Sequence, residues 1–289
     1  MNLRLCRLSS LLRVAPLLLL LACCGSRFAL AESAQDVVRQ VVKNEIWADD
    51  HDHSRWMYRD SYKSPTKDIV KLVIQTPQGD LSQIILDHGH PPSDQVRQAD
   101  LSNMQRMTSD PSFRARQKRN AQHDDQQARD LMNMLPTAFL WNIDSVEKGE
   151  IHLSYKPNPN FSAPSMSARV MTSMSGTMVV DAKQKRLKEL NGRLMHPVEF
   201  AWGLFGHLDA GGTFQIVRSE LAPGIWDITQ THVHISGHAL FFKTIGDQED
   251  EISSDYHRVP EGVDIARAAQ MLKNGEVAHQ LEQEAKLQH

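Results

Sequence analysis

Ser175-Gly176-Thr177-Met178-Val179-Val180-Asp181-Ala182-Lys183-Gln184-Lys185-Arg186-Leu187-Lys188-Glu189-Leu190 decides the fold class. Thr177–Val180 is a short apolar, β-rich run, and a second run extends from Leu187 to Leu194. The polar Asp181–Lys185 between them has the composition of a hairpin loop. Units of the same kind flank it. Upstream lie Ala138–Ile143, Ile151–Tyr155 and Ser167–Met174. Downstream lie Val198–Leu204, Thr213–Leu221, Ile225–Ile235, Ala239–Thr244 and Ser254–Arg258, with Asp209-Ala210-Gly211-Gly212 as a further hairpin loop. Many short strands joined by tight turns imply an antiparallel meander.

Helices bracket that meander. Val37, Val38, Val41, Val42 and Ile46 recur at helical spacing, so Ser33–Trp47 reads as an amphipathic helix that ends in the polar cluster Asp49–His53. Trp56-Met57-Tyr58, Ile69–Thr76 and Leu81–Asp87 are strand-like, with Pro77-Gln78-Gly79-Asp80 as a hairpin turn. Ser93–Leu135 is polar and helical, and Pro111 has the place of a second helix start. Leu101, Met104 and Met107 form one sparse apolar face there, and Arg114, Arg116, Lys118 and Arg119 form a basic cluster of the kind that usually marks a solvated helix face. A last helix is expected over Gly262–Leu287. The class is therefore α+β: one large twisted antiparallel sheet, an open half-barrel meander, with N-terminal, central and C-terminal helices.

The first 31 residues stand apart. Arg4, Arg7 and Arg13 precede the apolar run Val14–Cys24, and Ala29-Leu30-Ala31 has the small-residue pattern of a cleavage site. This is the order of a secretory signal peptide, and the apolar run is shorter than the ~20 residues a membrane-spanning helix needs. Leu20-Leu21-Ala22-Cys23 also fits a bacterial lipobox, so a tether to a membrane surface through Cys23 is the alternative processing route. The expected organisation is a signal peptide over 1–31, a main domain over 32–260 with a helical insertion at 94–135, and a C-terminal helix and tail over 261–289. Periplasm or cell envelope is the expected location. All three cysteines lie in the segment removed, so the exported part depends on packing and not on disulfides. That segment carries four of the 32 basic residues and none of the 35 acidic ones, which leaves a net charge of −7. Such a balance argues against a nucleic-acid partner. A monomer is expected.

Val70-Lys71-Leu72-Val73-Ile74 with Gly79, and the Gly176–Asp181 strand and turn followed by Arg186-Leu187, resemble the periplasmic lipoprotein-carrier superfamily (LolA/LolB-like, with the RseB/MucB N-terminal domain). The resemblance covers roughly Ala34–His257. It implies an open sheet wrapped over helices, with an apolar concave face that holds acyl chains. The polar segment Ser93–Gln127 departs from that pattern.

Candidate functional residues form two sets. Met171, Met174 and Met178, with Trp202, Phe214 and Trp226, have the soft and aromatic side chains of a pliable apolar site, for a lipid, a lipoprotein acyl chain or another apolar ligand. Core packing is the other reading of the same residues. His232 and His234 sit two apart on a strand, hence on one face, with His238 close behind. That spacing suits a metal-dependent hydrolase, or else a solvated strand face. Asp50–His53 and Asp87–His90 are weaker clusters in expected loops. The chain has no Gly-x-Ser-x-Gly, His-Glu-x-x-His or phosphate-loop motif, and export leaves no nucleophilic cysteine. The expectation is a non-enzymatic binding protein with no cofactor and no bound metal. An envelope interaction module without a ligand is the third reading.

Overall fold

The computed structural model describes residues 32–200, 206–239 and 248–285. The first 31 residues, where a signal peptide is expected, Trp202 and the last four residues lie outside that set.

Three helix starts show the capping chemistry of the sequence. The Ser33 side chain caps α1 (Ala34–His51), and Ser93 caps α2 (Asp94–Ser109). Asp110 Oδ1 accepts the Ser112 and Phe113 N–H groups at 2.8 and 3.0 Å, so Pro111 opens α3 (Pro111–Ala138) at the position that needs no N–H. Helix α1 runs past the expected Trp47 and takes in the acidic cluster, where Arg129 of α3 pairs with Asp50 at 3.0 Å and also with Asp49.

The strands are β1 (Trp56–Ser64), β2 (Lys67–Ile74), β3 (Leu81–Asp87), β4 (Phe139–Glu147), β5 (Glu150–Pro157), β6 (Met174–Asp181), β7 (Leu187–Leu194), β8 (Val198–Phe200), β9 (Gly206–Leu208), β10 (Thr213–Ala222), β11 (Ile225–His234), β12 (Gly237–Ala239) and β13 (Gln248–Arg258). Ten form one open antiparallel sheet in the order β3-β2-β1-β13-β11-β10-β7-β6-β5-β4. The expected α+β class and the 181–185 hairpin are present.

Several local expectations differ. Ser167–Met174 contains a helix, α4 (Met166–Met171), because Ser165 Oγ accepts the Ala168 N–H at 3.1 Å and Met, Ala and Arg favour helix. Asp209–Gly212 does not close a hairpin. It leads from β9, which belongs to a separate three-stranded sheet β12-β9-β8, to β10 in the large one. Val198–Leu204 and Ala239–Thr244 contribute only the short β8 and the end of β12 among the described residues. The final strand starts at Gln248 and inserts between β1 and β11, joining the early hairpins to the later meander.

The last helix is two, α5 (Ile265–Lys273) and α6 (Glu276–Ala285). They are divided at Asn274-Gly275, where Gly275 has φ +73°, a left-handed conformation that glycine adopts at little cost. Leu272, Val277 and Leu281 are at most 1% exposed, so this segment is core and not an appended tail. The described residues from Glu32 onward form one compact unit.

Two helix-covered cores lie on opposite faces of the sheet. Met57, Leu72, Ile74 and Leu81 meet α2, α5 and α6 in the first. Ile151, Leu153, Met178 and Val180 meet α1 and the end of α3 in the second. Register carries the face of Leu72 through Arg59, Ser254, Ile252, Gln230, Val217 and Glu189 to Val179, the residue after Met178. Successive strand residues point to opposite faces. The face buried at β1–β3 is therefore open over β6–β11. Helix α3 links the two cores, with Phe113 buried at one end and Leu135 at the other, and its middle is exposed.

A buried ion cluster fixes α1 to the sheet. Glu45 accepts from Arg186 Nε and Nη2 at 2.9 and 3.0 Å, from the Leu187 N–H at 2.8 Å, and from Arg218 of β10. Arg186 also reaches the Gly224 carbonyl at 3.2 Å, so the outer end of the β10–β11 hairpin is held through the same cluster.

Candidate polar binding face

On the open face, β6, β7, β10 and β11 carry Ser175, Asn191, Arg193, Thr213, Gln215, His232 and His234 around a depression of about 540 Å³. Alternation puts these residues there, and register brings them side by side: Arg193 pairs with Thr213, which pairs with His234, and Asn191 pairs with Gln215, which pairs with His232.

Two hydrogen-bonded clusters order the lining. Asp250 of β13 lies opposite His232. Its Oδ1 is 2.6 Å from His232 Nδ1 and 3.1 Å from His234 Nε2. The hydrogen bond from His232, supported by His234, holds the Asp250 carboxyl below the usual carboxylate range. His232 Nε2 also meets Gln230 Oε1 at 3.3 Å. In the second cluster Glu189 accepts from Asn191 Nδ2 at 3.0 Å and from Gln215 Nε2 at 2.8 Å, while Thr177 donates to Asn191 Oδ1 at 3.0 Å. Arg193 is exposed beside the turn at Gly211 and makes no ion pair among the described residues.

Glycine shapes the strands beneath. A Cβ on Gly192 would stand 2.4 Å from both the Phe214 ring and Tyr155 Oη, so these two aromatic side chains occupy its place on the opposite face. A Cβ on Gly176 would stand 2.0 Å from the Asn191 carbonyl oxygen. Tyr155 Oη donates to that same oxygen at 2.8 Å.

The expected apolar site residues do not converge on one groove. Met178 is 1% exposed in the second core, and Met171 packs against it. Met174 is buried in a third core with Val170, Leu194 and Leu208, and Phe214 packs there too. Trp226 is buried in the β10–β11 hairpin, where its Nε1 donates to Gln184 at 3.1 Å. Strand alternation and neighbouring large side chains turn them inward. Trp202 lies outside the described residues.

His232 and His234 do share a face. His238 belongs to β12 of the small sheet, where its backbone pairs with His207. Among the described residues no group of three or more His, Cys, Asp and Glu side chains is placed to hold a metal. Sequence reading missed Asp250, Glu189, Asn191, Arg193 and Gln215. The available signal was alternation: once His232 is placed on an antiparallel pair, the polar segment Gln248–Glu251 becomes a strand whose Asp250 can face it.

Comparison of the chain with protein families, with curated proteins and with solved structures finds no match.

Proposed function

We propose that this chain is an exported, non-enzymatic binding protein that holds a polar ligand on the open face of its sheet. The contact residues are Asn191, Arg193, Gln215, His232 and His234, with Asp250 positioning the histidines. The observation that carries this reading is the depression itself. Polar side chains line the stretch of sheet that no helix core covers, and Arg193, without an ion-pair partner among the described residues, stands at its rim. Neither histidine contacts a hydroxyl among the described residues, so the pairing of nucleophile with base that acyl transfer needs is not assembled here. Export rests on the basic start, apolar run and small-residue site of the first 31 residues.

The test is native mass spectrometry of the chain purified from its own envelope fraction. A polar ligand should be retained by the parent and lost from Ser175→Trp, which fills the depression, with melting temperature unchanged. A retained fatty acid or lipid that survives Ser175→Trp would overturn the reading and move the site to an apolar surface.

A further inference from the structure

Accepting the depression as the ligand site, we infer that its ligand presents an anionic group, which Arg193 and His234 receive, and that the site takes it up most strongly when both histidines are protonated.

The argument starts from charge. Strand β7 brings Arg193 and Glu189 to this face, β13 brings Asp250, and β1 brings Lys63, the register partner of Asp250. Strand β10 adds only the uncharged Thr213 and Gln215, and β11 itself adds Gln230. Asp209, whose N–H bonds the Ser236 carbonyl just past β11, faces His207 at 3.4 Å. Lys63 is in turn paired with Asp68 of β2 at 4.0 Å. These five fixed charges sum to minus one with both histidines neutral and to plus one with both protonated.

Hydrogen bonding gives the same direction. Glu189 is occupied by two side-chain amides, and Asp250 by two imidazoles. The carboxylates are thus turned to neighbours on their own sheet, whereas Arg193 has no acceptor among the described residues. Arg193 and His234 both pair with Thr213 from opposite sides, so one side chain, a small one, separates them. A guanidinium beside an imidazole donor is suited to the planar or tetrahedral oxygens of a carboxylate, sulfate or phosphate. His234 uses Nε2 on Asp250, and in its protonated form Nδ1–H is a further donor. Histidine is the side-chain type that can change charge between about pH 5 and 8, and protonation of both takes this face from net negative to net positive.

Sulfate is the appropriate probe because its own charge is constant there, and acetate is the planar alternative. Titration calorimetry at fixed ionic strength should show sulfate or acetate binding at about pH 5.5 and roughly tenfold weaker binding at about pH 8. Which of the two binds tighter identifies the shape of the anionic group. Arg193→Ala should abolish binding at both pH values. His232→Gln with His234→Gln should leave weak binding with no pH dependence. Circular dichroism of each variant should match the parent, which separates lost binding from lost fold. Equal affinity at both pH values would overturn the protonation clause. No binding of either anion, with a ligand still lost from Ser175→Trp, would overturn the anionic class and leave the depression as the ligand site. Retention of the native ligand by Ser175→Trp would remove both. One zinc ion bound through His232 and His234, with no anion binding, would also overturn the inference.

Discussion

Replacing Glu45 by Ala tests how the N-terminal helix is held. The Glu45 side chain is 2% exposed, and its two oxygens receive both nitrogens of a bidentate Arg186, one nitrogen of Arg218 and the Leu187 N–H. Truncation leaves two guanidinium groups without a counter-charge, at side-chain exposures of 8% and 16%. Breaking a buried pair from one side costs roughly 3–5 kcal/mol. The orphaned Leu187 N–H alone costs about 1–3 kcal/mol, but it shares its acceptor with the ion pairs, so the two figures overlap rather than add. The expectation is a loss of about 4 kcal/mol, a large part of the ~5–15 kcal/mol that holds a domain. Urea unfolding followed by far-ultraviolet circular dichroism measures it, with an unchanged m-value as the check that the same two states are compared. Hydrogen exchange should quicken at residues 218–228 before it does in β5 and β6, because Arg218 and Gly224 lose their anchor. Replacing all three charged groups together by Leu or Met should recover much of the loss, since apolar residues of similar volume satisfy such a site. Glu150→Gln, at the more accessible pair with Lys188, should cost ~0–1 kcal/mol. A Glu45→Ala loss below about 1 kcal/mol at constant m would refute the claim that this cluster holds α1 and the hairpin.

Met178→Ala and Met174→Ala should each cost ~2–5 kcal/mol in urea unfolding, because both side chains are buried and their removal leaves cavities; a change under ~1 kcal/mol at both would return them to an open groove. Gly176→Ala should lower the melting temperature measurably, since the added methyl meets the Asn191 carbonyl, and an unchanged melting temperature would show that β6 and β7 can separate freely there. Burial pushes the Asp227 carboxyl above its ordinary value, so its ionised form is disfavoured in the fold and costs stability at neutral pH. Asp227→Asn should therefore raise the melting temperature at about pH 7, with the gain shrinking as pH falls toward ~4 and the parent carboxyl takes up its proton; a gain that is constant across that range contradicts the burial argument.

What the sequence disclosed was local. The Asp181–Lys185 hairpin, the Asp110-Pro111 helix start and the Pro77–Asp80 turn each depend on residues close together in the chain, and each formed where the composition places it. The placement of β13 depends on a partner some 190 residues away, and its polar stretch Gln248–Glu251 has no apolar alternation to announce a strand. The two opposite cores were illegible for the same reason: parity along a strand says which residues share a face, but not which face a distant helix will cover. The methionines show the cost of reading composition alone. Met174 and Met178 do share a face, as their spacing requires, yet that face is the one the fold fills.

The join between the two half-sheets and the polar site occupy the same strands. The backbone ladder between β11 and β13 runs over five pairs, from Gln230 with Ile252 to His234 with Gln248; beyond Gln230 the link is Tyr256 Oη, which donates to the Ile228 carbonyl at 3.1 Å, while Arg218 of the β10–β11 hairpin reaches Glu45 of α1. Each half has its own core, on its own face, so neither core spans the join. What crosses it on the open face is Asp250 with His232 and His234. A ligand seated against His234 and Arg193 touches the later half-sheet directly and the earlier half through Asp250. Such a ligand binds the joined sheet better than the parted one, and by mass action it must stabilise the join in proportion to its occupancy. The arrangement of cores thus makes the strand pair that carries the site also the strand pair whose cohesion the site can change.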